Sequence, residues 1–349
     1  PNTTREWLDP REKTQFKAVL GVYSAMAVAL YLGMKDDEDY KAAEEWEKRT
    51  YHLFKLPGSE TMYRIPRPFE VGAIAYMAES TAQQFADDEV HGEMFAERLG
   101  HVLSDTLSLN PVPQVFKPAL EVAMNKNLFT GRDIESMGME RLSPAERKKV
   151  WTSETAIALS EGFAKINWSS VEISPVQMEH LIGGYLGWLG SQGLAAADMI
   201  VRPLTDSPTA PAMKFTELPI VRALVKTMPA RNTQYTTNFY DSLKKINTSF
   251  NDIAHHRKLK QWDEAKRLKD ELPYSEATKD YYRNQAKLLS TLRKNMKMIR
   301  ISSKSPEDKT IEMDRLQLKI NRLTKSVDDR KKRTEARDKA RAEKLKLNL

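Results

Sequence analysis

The residues best able to carry acid–base or metal chemistry in this 349-residue chain are its six histidines: His52, His91, His101, His180, His255 and His256. Their spacing argues against such roles. None stands in an HExxH run or another spacing that would bring metal ligands onto one helix face. His255 and His256 are adjacent, so a helix points them in different directions. His180 follows Glu179 at a helix start, where a structural hydrogen bond is the ordinary role. There is no cysteine, which excludes disulfides and thiolate metal sites. The chain has no GxSxG, no Walker phosphate loop and no GxGxxG; the glycines from Gly183 to Gly193 fall inside an apolar helix. Carboxylates are numerous, but none pairs recognisably with another for general acid–base work. The expectation is a chain without catalytic residues, cofactor or metal, so not an enzyme.

Two other chemistries remain, phosphate binding and lipid or helix packing. Ser275–Leu349 holds 22 Lys and Arg against 11 Asp and Glu, while the rest of the chain is slightly acidic. Such a segment could meet nucleic acid through phosphates, without reading sequence. The interleaved acids equally describe a solvated helix laced with ion pairs. Tyr281 and Tyr282 are the segment's only aromatics, which leaves little to stack on single strands. At the other end, Phe16–Met34 is apolar, with no charged residue after Lys17. A helix of that length is about 26–29 Å long, close to a bilayer core. Gly21, Ala25, Ala29 and Gly33 recur every fourth residue, a small-residue ridge that lets another helix approach closely. The run reads either as a buried helix of a soluble domain or as a segment that enters a membrane.

The elements that would position these residues read as helices throughout. Ala, Leu, Glu, Lys, Met and Arg dominate, and β-branched runs are scarce. After Met34, Asp36–Phe54 reads as a polar helix. From Leu53 to Ile134, Pro57, Pro66, Pro68, Pro111 and Pro113 set corners around helices expected at Glu70–Phe85 and Phe95–Leu107. Ser143-Pro144-Ala145-Glu146 carries the signals of a helix start, with a helix to about Lys165. Ser174-Pro175-Val176-Gln177 repeats the device before a second Gly/Ala-rich helix, broken near Gly190–Gly193. That helix is the expected partner of the first ridge. Pro203–Pro219 reads as a linker or strap, followed by a short helix at Ile220–Met228 and a long one at Thr233–Arg267. Ser275 caps a first C-terminal arm. Ser305-Pro306 starts a second, in which Met313, Leu316, Ile320, Leu323 and Val327 follow coiled-coil spacing. The seam Leu316, Ile320, Leu323 and Val327 would hold a helical hairpin or join subunits. The fold class is therefore all-α: residues 1–34 as the ridged helix, 35–204 as a helical core with Pro-rich corners, 205–232 as linker, and 233–349 as basic hairpin arms.

The succession IPRPFEVG, LNPVPQVFKPALEVAMN, LFTGRDI and SPVQMEHLIGGYLGWLG resembles a domain of very large bacteriophage proteins, over roughly Trp7 to Leu204. These are the polyvalent proteins and internal virion (ejection) proteins of short-tailed phages, in which the domain usually lies towards the C-terminus of the parent chain. The chain begins at Pro1 without Met, so it is expected to be either processed or a piece of something longer. The resemblance implies a structural internal virion protein, released with the genome to help form a DNA conduit across the host envelope. It implies a ring of identical copies and other internal or portal proteins as partners. Host membrane and non-specific DNA are further partners to weigh. The place would be the capsid interior near the portal, then the host envelope. The alternative it leaves is a regulatory or DNA-binding module of a large phage enzyme, such as a virion RNA polymerase. A peptidoglycan-cleaving part, frequent in such parents, has no counterpart here.

Overall fold

A computed structural model describes residues 10–86, 100, 115–136, 138–166, 172–204, 210–272 and 274–347. Among them the chain is predominantly α-helical, with a single two-stranded antiparallel sheet. It divides into two compact units, residues 1–204 with 214–227, and residues 205–213 with 228–349. The helix expected at Phe95–Leu107 and the corner prolines Pro111 and Pro113 lie outside the described residues.

In the first unit, α1 (Pro10–Met34) is followed by α2 (Glu38–Ala42) and α3 (Glu45–Thr50). These two short helices replace the single polar helix expected over residues 36–54. Asp37 caps α2 by accepting from the backbone N–H groups of Asp39 and Tyr40. The chain then turns extended at Ala43 and restarts at Glu44, whose backbone N–H bonds the Glu47 carboxylate. Tyr51 leaves the helix for strand β1 (Tyr51–Lys55), which pairs with β2 (Met62–Pro66) from Tyr51 opposite Pro66 to Lys55 opposite Met62. The connection has a physical signature. Pro57 takes the second position of a turn closed by Ser59 N–H to Leu56 C=O, and Gly58 supplies φ 77° at the third.

Helix α4 (Phe69–Ala86) begins directly after Pro68, one residue from the expected start. It packs against α1, which also lies on β1. Tyr31 and Met34 of α1 meet Tyr40, Ala43, Leu53 and Met62 in a buried cluster. Met62 is wholly inaccessible, so its burial alone stabilises the fold by roughly 1.5–3 kcal/mol.

The second half of this unit holds α5 (Lys117–Ala123), α6 (Glu154–Ile166) and α7 (Pro175–Leu204), with α7 packed on both others. The start expected at Ser143 is a single 3-10 turn, Pro144–Glu146, rather than a helix to Lys165. Arg147 ends it: its guanidinium turns back to the carbonyls of Leu142 and Glu140 and to the buried Glu135 carboxylate. Helix α6 starts later, capped by Ser153, whose hydroxyl accepts from Ala156 N–H while donating to Asp198 of α7. Ser174 and Gln177 exchange reciprocal capping bonds at the start of α7. The break in α7 is at Gly187, φ 56° and ψ −134°, three residues before the expected place. The chain returns through α8 (Val221–Leu224), shorter than the helix expected to Met228.

Among its described residues the second unit packs three long helices and one short one. Helix α9 (Gln234–Lys258), the short α10 (Trp262–Asp270), α11 (Glu276–Arg300) and α12 (Pro306–Leu347) follow in order. The long helix expected over Thr233–Arg267 is thus two, split at Lys260, which has φ 60°. Helices α11 and α12 form the expected hairpin, but α9 packs against both and α10 against α9. Phe239, Ile246, Leu289, Met296, Met313 and Ile320 fill the interior.

Candidate functional site

Among the described residues, His52, His180 and His256 are each held by a side-chain hydrogen bond. His52 of β1 is buried, and its Nε2 shares a 2.6 Å hydrogen bond with the Tyr23 hydroxyl of α1. Burial, helped by the nearby Arg67 charge, pushes its imidazole down to about 4, so the ring is neutral near pH 7 and a weak base. Arg67 follows β2 and pairs with the buried Glu79 of α4 at 2.5 Å, while its Nε donates to the Tyr51 carbonyl. Tyr40 donates to the other Glu79 oxygen at 2.8 Å. Burial, and then the Glu79 carboxylate, hold its phenol far above the usual tyrosine value. The cluster ties α1, α2, the hairpin and α4 together through buried and half-buried polar bonds. His180 Nε2 lies 2.8 Å from Glu121, whose other oxygen accepts from Leu128 N–H, so α7 is fastened to α5. His256 Nδ1 bonds Gln261 at 2.6 Å, beside the His255 ring. His91 and His101 lie outside the described residues. Among the described residues no three His, Asp or Glu are placed to hold a metal ion.

The small-residue ridge has a definite place. Helix α1 buries Ala27, Tyr31 and Met34, and turns Gly21, Ala25, Ala29 and Gly33 to the outside. A Cβ added at Gly21 or Gly33 would meet no atom within 4 Å. Val19, Val22, Met26 and Leu32 are exposed beside the ridge. The stretch Thr14–Met34, 21 residues, is long and apolar enough to cross a membrane; an 18-residue window within it has mean hydropathy 1.5 and is only 11% buried. The expected pairing with the second Gly/Ala-rich helix is not what packs these helices. Helix α1 rests on α4 and β1, whereas α7 rests on α5 and α6. The Tyr23–His52 bond and the packing of α1 on α4 and β1 fix its orientation, which periodicity alone left open.

The seam on α12 is rotated from its sequence reading. Ile320 and Val327 are buried, together with Met313, while Leu316 and Leu323 are half-buried at the margin. The centre is shared by Gln317, Thr324 and Asp328, all buried. Their partners come from the α9 side: Gln317 reaches the Arg231 carbonyl, Thr324 Oγ1 lies 3.3 Å from Thr236 Oγ1, and Asn238 donates to Asp328. Sequence reasoning missed these polar positions; the signal that would have found them is that Gln317 and Thr324 complete a 4, 3, 4, 3 spacing with Met313, Ile320 and Val327, and that Asp328 follows four residues after Thr324. Tyr282 is buried and stacked on Phe239, and Tyr281 lies under the Arg330 guanidinium at 4.1 Å.

A sequence-family model described as "Large polyvalent protein associated domain 38" matches residues 37–221, just over half of the chain. The match begins after α1 and ends at the start of α8, so it covers the pinned hairpin, the Glu121–His180 contact and all of α7. No curated protein and no solved structure matches.

Proposed function

This chain belongs to the family of large polyvalent protein associated domain 38, and from that membership we propose that it is a structural internal virion protein of a short-tailed bacteriophage. In this reading it leaves the capsid with the genome and helps form the DNA conduit across the host envelope. The observation that carries the proposal is the outward apolar face of α1, which the fold holds clear of the core by pins on its opposite side. A helix so placed can exchange water for lipid, or for a second ridge, without unfolding the unit beneath it. The chain has a scaffold role and no catalytic step. Its partners are further copies in a ring around the portal axis, and other internal or portal proteins.

Quantitative mass spectrometry of phage particles before and after triggered DNA release tests this. Peptides of the chain, followed against the capsid protein, are expected at stoichiometric levels before release and depleted after it. Retention in emptied particles would make it a fixed component, and absence from particles would remove the virion reading.

A further inference from the structure

Helix α12 carries its basic residues unevenly around its circumference. At 100° per residue, Arg315, Lys319, Arg322, Arg330, Arg333 and Arg337 fall within about 80° of one another. They lie away from the face that buries Met313, Ile320, Thr324 and Val327, and all six are exposed. Between Arg315 and Arg337 the helix does not lack acids; it holds them off this face, and the acids that share its direction, Asp308 and Glu312, precede Arg315 in the first two turns. Asp328 is buried against Asn238 and within 4.0 Å of Lys332, Glu335 approaches Lys331 at 3.8 Å, and Asp329 stands half-buried at the margin of the basic face. None of the six pairs with a carboxylate among the described residues. Arg330 covers the Tyr281 ring, and Arg333 Nε donates to the Asp329 carbonyl of its own helix. Like charges four apart, as at Arg315–Lys319 and Arg333–Arg337, each cost a few tenths of a kcal/mol. An unassisted solvent face would gain by interleaving the acids between them.

We propose that this face of α12 is a binding surface for the phosphate backbone of duplex DNA. Five of the six bases are arginine, whose planar fork suits phosphate oxygens better than a lysine ammonium does. From Arg315 to Arg337 the helix runs about 33 Å, close to the roughly 34–36 Å of one duplex turn. The helix's exposed large apolar residues, Ile311 and Leu318, sit at its N-terminal end, and none follows Lys319 among the described residues. Beyond Lys319 the face therefore offers no large apolar side chain to insert into lipid. Tyr281 is covered and Tyr282 buried, so it offers no ring for a single-stranded base either. The surface rests on the bundle alone and does not depend on the virion reading.

The test is binding of the full chain to a random duplex of about 30 base pairs over a salt series. Between 50 and 200 mM salt, six phosphate contacts weaken binding by about 10³-fold and three by about 40-fold. The variant R322Q/R333Q/R337Q is expected to move from the first behaviour to the second with its helical content unchanged, since all three side chains are exposed. The variant K244Q/K245Q/K258Q removes equal charge from α9 and is expected to keep the wild-type slope. An equal loss in both variants would reduce the surface to bulk charge and overturn the proposal. So would no duplex binding at 50 mM salt, tighter binding of a single strand, or capture by phosphatidylserine vesicles in place of duplex.

Discussion

Lys226 places its ammonium 2.5 Å from Glu47 Oε2 across 179 residues of sequence, with both side chains 8% exposed. The same residue donates its backbone N–H to Met62, Val225 bridges Tyr63, and the Arg64 guanidinium reaches the Arg222 carbonyl. The returning segment 214–227 is thereby sewn onto the free edge of the hairpin. A buried pair of this kind is costly to break from one side, because the remaining charge keeps its desolvation penalty. Glu47→Leu alone should lower unfolding free energy by about 3–5 kcal/mol, whereas Glu47→Leu with Lys226→Met should return to within about 1–2 kcal/mol of wild type. Urea titrations of the three variants decide it. Equal loss in single and double variants would show that packing, not charge, dominates there.

His52 makes stability depend on pH. Its folded value of about 4 lies below the ordinary 6.5, so between these limits the unfolded chain binds a proton that the folded chain refuses. Its contribution is complete above pH 6.5 and is lost progressively as pH falls towards 4. His52→Gln should keep a hydrogen-bonding partner for Tyr23 and flatten that slope. Thermal melts at half-unit pH steps should show the two proteins diverging in this window. Parallel curves would exclude His52 as their source.

Gly187 sits at φ 56° and ψ −134°, a conformation essentially confined to glycine. It lets α7 change course between the turn that meets α5 and the one that carries Asp198 to the α6 cap. Gly187→Ala should cost roughly 1–3 kcal/mol, read as a shift of the denaturant midpoint. An unchanged midpoint would mean that α7 can straighten without loss.

What the sequence disclosed, and what it hid, divides by the range of the interactions. Helix starts at Ser174 and Ser275 were legible because the caps are local: each hydroxyl accepts from a backbone N–H three residues on. The hairpin was overlooked because the charges of residues 36–50 fit a helix, although Pro57-Gly58 is itself a turn signal. In the α12 seam Ile320 and Val327 are buried, whereas Leu316 and Leu323, which match coiled-coil spacing for two helices, stand half-buried at the margin. A third helix turns the buried side towards Gln317, Thr324 and Asp328, whose partners at Arg231, Thr236 and Asn238 lie more than 80 residues away. For the ridge, spacing defined the stripe but only the Tyr23–His52 bond and the α1–α4 packing tell which side faces out.

That outward placement turns the ridge into a clean test of assembly. Ala25 and Ala29 are exposed, so Ala25→Leu with Ala29→Leu should leave monomer stability within about 0.5 kcal/mol of wild type. Leucine is also nearly as good a helix former as alanine. Ala27, one turn-face away, has no accessible surface, and Ala27→Leu should overpack the core and cost about 1–3 kcal/mol. If small side chains let two copies of α1 approach, the double variant separates them by the width of a leucine and should reduce oligomer size in sedimentation velocity. If the face meets lipid instead, the wider ridge should change partition into liposomes while leaving oligomer size alone. Wild-type behaviour in both measurements, with the melting temperature held, would leave the ridge without an assembly or membrane role and remove the main physical support for the conduit.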